Sequence, residues 1–134
     1  MKIVIESIPH DEMRYDTSGD YWLDAEGTLQ VRVSRLSNPL HEQALAIHEL
    51  WEALMAMARD IDFADIDSWD THYEASRAPG DDSEPGDHPD CPYHVAHRLA
   101  SAIEEEFLRS VYSSWLLYEQ ALDALRWRKK DAVD

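Results

Sequence analysis

The run His48-Glu49-Leu50-Trp51-Glu52 carries the sharpest chemical signal in the chain. On a helix, His48 and Glu52 project from one face a turn apart, the spacing with which two side chains grip one ion. Imidazole nitrogen and carboxylate oxygen are both ordinary zinc ligands. Glu49 points about 100° away from His48, near enough to act as a base on a water at that ion, as the glutamate of an H-E-x-x-H helix does. Glu49 is therefore the candidate catalytic residue. A third ligand has to come from elsewhere, and Pro92-Tyr93-His94-Val95-Ala96-His97-Arg98 offers two histidines at i, i+3. On the helical wheel His97 borders the inner face near Ala100, whereas His94 lies with Arg98 and Glu105 on the water side, so His97 is the better ligand. Asp70 is the candidate additional ligand, or a partner for a histidine N–H.

These residues also have a structural reading, because a paired ion cluster produces the same pattern. What favours chemistry is their setting: His48, Glu49 and Glu52 stand in a helix otherwise filled with Ala, Leu, Ile, Met and Trp. Burying two unpaired carboxylates costs several kcal/mol, so they call for a cation, a metal or a cleft. Other candidates are weaker. His41, near the helix start, is expected to face solvent, and His72 and His88 have no periodicity to place them. The acid run Asp81 to Asp87 lacks the ligand order of a calcium loop and reads as a solvated linker. Cys91 has no evident base partner. Trp115, Tyr118 and Trp127 fall at helical spacing and are expected in the core.

The elements that must position the site follow from local pattern. Ile3, Val4, Ile5 and Ile8 form a β-branched run that Pro9 ends. Leu29, Val31 and Val33 alternate with Gln30, Arg32 and Ser34, the period of a half-buried strand, and Tyr21-Trp22-Leu23 precedes a turn, which together predict a hairpin. Asn38-Pro39 predicts a helix start, with Asn38 as cap and Pro39 in the first turn. That helix should run to about Arg59, with Leu40, Ala44, Ile47, Trp51, Leu54, Met55 and Ala58 on its apolar face. Asp60 to Asp70 reads as a short helix or packed loop. Residues 78–91, rich in Pro, Gly and acid, should be a flexible acidic loop. A helix from 93 to 109 should bury Ala96, Leu99, Ala100, Ile103 and Phe107, and a last amphipathic stretch should end in the basic run Arg126 to Lys130. The fold class expected is α+β: a small N-terminal antiparallel sheet or hairpin followed by about three packed helices, as one domain over 1–134.

Composition limits the partners. The 134 residues carry 28 acids against 12 bases, a formal net charge of -16. A phosphate-backbone binder needs clustered Lys and Arg, so direct nucleic-acid binding is not expected. The single cysteine excludes an internal disulfide and a cysteine zinc cage, and fits a reducing, cytoplasmic compartment. No stretch approaches the ~18 apolar residues of a membrane span.

At these residues the chain resembles two groups. Distantly it resembles the zincin metallopeptidases, in which a hairpin's last strand leads into a His-Glu helix. It is more closely similar to a group of small, mostly uncharacterised bacteriophage proteins with an apolar-His-Glu-Leu-x-Glu-Ala helix and a downstream Pro-Tyr-x-x-x-His-x-x-Ala-x-x-Ile-Glu segment. The matching residues are Ile47 to Ala53 and Pro92 to Glu104. The resemblance implies a zincin-like core with zinc, or another divalent metal, on His48, Glu52 and His97, and Glu49 as the water-activating base. Glutamate stands at 52 where zincins carry the second histidine.

Three functions remain open on the sequence. The first is a zinc-dependent hydrolase or peptidase, with the hairpin edge aligning an extended protein or peptide substrate. The second is a phage-encoded acidic protein in the host cytoplasm that imitates nucleic acid and blocks a host enzyme. In the third the metal is only a structural clip between helices.

Overall fold

A computed structural model describes residues 1–126. Three strands come first, β1 (Ile3–Ile8), β2 (Gly19–Leu23) and β3 (Leu29–Ser34), followed by α1 (Pro39–Ala58), α2 (Phe63–Ala75), α3 (His94–Ser110) and α4 (Trp115–Asp123). The arrangement is α+β. The strand order is β1-β3-β2, with β2 and β3 paired as the expected antiparallel hairpin. β1 joins the other side of β3 in parallel, Ile3 opposite Leu29, so the sheet is mixed rather than wholly antiparallel. The chain between β1 and β2 carries β2 past β3, which leaves β3 central and fits its buried Leu29, Val31 and Val33.

Helix α1 begins as its sequence dictates: the Asn38 side chain accepts from the Leu40 amide and Pro39 stands in the first turn. It ends where Asp60 takes a positive φ of 56°. Its buried stripe differs from the expected one. His41, Ala44, Leu45, His48, Glu49, Glu52, Ala53 and Ala56 are buried, whereas Trp51, set on the predicted apolar face, is 43% exposed. The chemistry-bearing stripe thus faces the interior of the fold, with His48 and Glu52 satisfying each other there. Helix α1 lies against α3 and against the β2 and β3 side of the sheet.

Asp60 to Asp70 resolves into the start of α2, capped by the Asp62 side chain accepting from Ala64 N–H. On α3 the buried residues are Ala96, His97, Ala100, Glu104 and Leu108; Leu99, expected inside, is 39% exposed. Tyr118 of α4 is buried with Ala44 and Leu108, while Trp115 stays at the surface. The expectations for Trp127 and for the basic run as far as Lys130 lie outside the described residues. No described helix is long and apolar enough to cross a membrane.

Candidate metal centre

Helices α1 and α3 bring His48, Glu52 and His97 together as expected. Each offers a ligand atom, the three atoms lie within 4.8 Å of one another, and all three residues are buried. One carboxylate oxygen is the focus. Glu52 Oε2 lies 3.0 Å from His48 Nε2 and 2.9 Å from His97 Nδ1, and the other oxygen accepts from the Tyr21 hydroxyl of β2 at 2.8 Å. Ligand atoms around a tetrahedral zinc are separated by about 3.3 Å, so accepting the ion asks Glu52 Oε2 to draw back from each imidazole nitrogen by tenths of an ångström.

The outward nitrogens are held as well. His48 Nδ1 is 2.9 Å from Glu104 Oε1, and Tyr118 donates its hydroxyl to the other oxygen of Glu104. His97 Nε2 lies 2.9 Å from Glu84 Oε2 and 3.1 Å from Asp87 Oδ1. A histidine with one nitrogen turned to a focus and the other held by a carboxylate has the orientation that metal-ligating imidazoles adopt.

Each imidazole meets a carboxylate at both nitrogens, a setting that favours its doubly protonated form. Burial alone would lower the pKa of His97, but its bonds to Glu52 and Glu84 outweigh that and hold it up at about 10. For His48 burial acts downward too, and is outweighed by Glu104 and Glu52. Burial would raise Glu52, yet the two histidines bring it down to about 2. The surrounding carboxylates thus balance two positive charges. One divalent cation replacing the two inward protons leaves that balance unchanged.

Glu49 is buried one step round α1, in the same cleft of about 450 Å³. Its carboxyl lies against Gly19 of β2, where a methyl group would overlap it, and it makes no hydrogen bond among the described residues. Burial first, and the charge of Glu52 second, hold its pKa well above the usual carboxylate range. A carboxyl so placed can exchange a proton with a molecule in the cleft.

Asp70 also lines the cleft, but the structure gives it other partners. Tyr15 and Tyr93 donate their hydroxyls to its two oxygens, and it stands outside the three-residue group. Burial lifts its pKa to about 7.

Two residues and one segment were missed or misjudged from sequence. Glu104 was not singled out in the sequence; it is buried because it falls seven residues after His97, on the same face of α3, and that spacing could have found it. The acid run from Asp81 read as solvated linker, but the turn Pro85–Asp87 packs on the site, with Gly86 against the His97 ring and its carbonyl accepting from His94 Nδ1. His41, expected in solvent, is buried beside the Tyr118 ring, centroids 5.4 Å apart. Cys91 is buried, and burial pushes its thiol up to about 12, which suits no nucleophile. No protein-family model, curated protein or solved structure matches this chain.

Proposed function

We propose that this protein is a zincin-like metalloprotein that holds a divalent cation, zinc by its donor set, on His48, Glu52 and His97, and uses it for hydrolysis of an acyl or peptide bond. The observation that carries the reading is the double engagement of each imidazole, one nitrogen turned to Glu52 and the other to Glu104 or to Glu84 and Asp87. Zinc bound there supplies a Lewis acid and lowers the pKa of water.

The chain's own residues do the rest. Glu104 and the Glu84 and Asp87 pair keep each histidine in one orientation, and Tyr21 fixes the free oxygen of Glu52. Glu49 is buried in the cleft with no hydrogen-bond partner among the described residues; with the ion bound, whose charge would draw it into its ionised form, it would take the proton of the attacking water and return it to the leaving group. Strand β2 is an edge of the sheet and its Gly19, Asp20 and Tyr21 line the cleft, so an extended peptide has a backbone edge beside the site. The buried acids Glu49, Glu52, Asp70 and Glu104 converge on this cleft, out of reach of a partner protein, which favours metal chemistry over imitation of nucleic acid.

The test is metal content of the purified protein together with hydrolysis of a mixed peptide library. Stoichiometric zinc, lost with His48→Ala, and cleavage that stops on chelation are the expected results. Zinc without cleavage of any substrate leaves a structural clip and overturns the hydrolase reading; absence of metal binding overturns the centre itself.

A further inference from the structure

The three inner donors are nearly closed to water, with His48, Glu52 and His97 each 5% exposed. A hydrated ion therefore needs a path to them. Among the described residues there is one other metal-fitting group: Glu84, Asp87 and His97. It faces solvent, the Glu84 side chain being 52% exposed and that of Asp87 60%. It also shares a residue with the inner group, using the opposite ring nitrogen: Nε2 of His97 points to Glu84 and Asp87, and Nδ1 to Glu52.

The backbone fixes this pair of carboxylates in place. Glu84 precedes the turn Pro85–Asp87 and Asp87 closes it: the Glu84 amide donates to Asp87 Oδ2 at 3.4 Å and the Asp87 amide to the Glu84 carbonyl at 3.0 Å. Gly86 between them lies so close to the His97 ring that any side chain would overlap it. Trp69 of α2 donates its ring N–H to the Pro85 carbonyl at 3.0 Å, tying the turn to the body of the fold. Two carboxylates and one imidazole suit a divalent cation that keeps part of its water.

We propose that Glu84, Asp87 and the outer nitrogen of His97 form a second, solvent-facing divalent-cation site, through which the ion passes to the inner one. The inference rests on the inner site as read above. The outer carboxylates attract the hydrated ion to the Nε2 side of the His97 ring, and the ion then passes to Nδ1, Glu52 and His48 on its other side. Because both sites draw on the one imidazole, they are filled in turn and the protein holds one ion.

Cobalt(II), whose absorbance reports its ligands, is the probe, used with the full chain at low salt. In Glu84→Gln/Asp87→Asn, both at the surface, loading should slow about tenfold or more, as for loss of charges that draw an ion to its site, in addition to any faster release that comes from loosening the His97 ring. In His48→Ala, which removes the inner site alone, a weak one-to-one cobalt complex should persist and should vanish when the double change is added. Loading at the wild-type rate, with release alone faster, would overturn the proposal and leave the two carboxylates as positioning groups for His97 and nothing more. Failure of the wild-type protein to bind cobalt at all would overturn the inner site as well, so the two failures are distinct. If His48→Ala does not fold, the loading and release rates of the surface variant decide alone.

Discussion

His48 and His97 stand edge to face across one carboxylate oxygen of Glu52, ring centroids 4.9 Å apart, each imidazole giving that oxygen one nitrogen. They come from different helices, 49 positions apart in the chain, and are brought together by the packing of α1 on α3. Like-charged rings at this distance repel, and only the carboxylates around them make the arrangement tolerable. One divalent ion would serve the same carboxylates with both rings neutral.

Proton release follows from that exchange. Zinc binding near neutral pH should displace about two protons per ion, since metal-bound imidazole is neutral at the nitrogen that binds. A pH-indicator titration in weak buffer measures it. Release close to zero would mean that the histidines are already neutral or that the ion binds elsewhere.

Glu104 and Tyr118 should matter to affinity without touching the ion. Glu104→Gln removes the charge facing His48 Nδ1 and should weaken zinc binding about 10- to 100-fold. Tyr118→Phe leaves one oxygen of a buried carboxylate without its donor and should cost about 1–3 kcal/mol of stability. Competition with a chromogenic chelator reads the first, and urea denaturation of the metal-free protein the second.

Glu49→Gln separates chemistry from binding. The variant should keep its zinc and lose hydrolysis by about 10²- to 10⁴-fold, the range for removal of a general base. Unchanged turnover would remove Glu49 from the mechanism; loss of the metal would make it a ligand instead.

Asp70 provides a pH test away from the metal-binding atoms. Its carboxyl titrates near 7 in the folded chain, burial being the main cause, against about 3.9 when unfolded. A raised acid binds its proton more tightly in the folded state, so its contribution is fully present below about pH 4 and is lost as pH rises towards 7. Asp70→Asn cannot ionise. Metal-free wild-type protein should therefore lose stability relative to this variant as pH rises from 4 to 8, by an amount on the order of a few kcal/mol. A difference that stays flat across that range, in paired urea titrations, would place Asp70 in a solvated setting.

Much of this fold is legible along the chain because its signals are local. The Asn38-Pro39 start of α1, the alternation through Leu29 to Ser34 and the His97 face of α3 all depend on neighbours within a turn or two. The three ligand candidates came from the same local spacing. What was hidden depends on satisfaction at a distance. A wheel centred on apolar residues puts Trp51 and Leu99 inside, where the structure exposes both, and Glu104, on the inner face but charged, is buried because His48 and Tyr118 satisfy it. The parallel pairing of β1 with β3 and the seat of Gly86 on His97 are likewise long-range contacts, with no mark in the residues beside them.

The most direct measurement is anomalous scattering at the zinc edge from crystals of the purified protein. The expected result is a single strong peak within bonding distance of His48 Nε2, His97 Nδ1 and Glu52, with Glu104 still on the far nitrogen of His48. Crystals grown with zinc that show no peak there, with both imidazoles still hydrogen-bonded directly to Glu52, would contradict the metal centre.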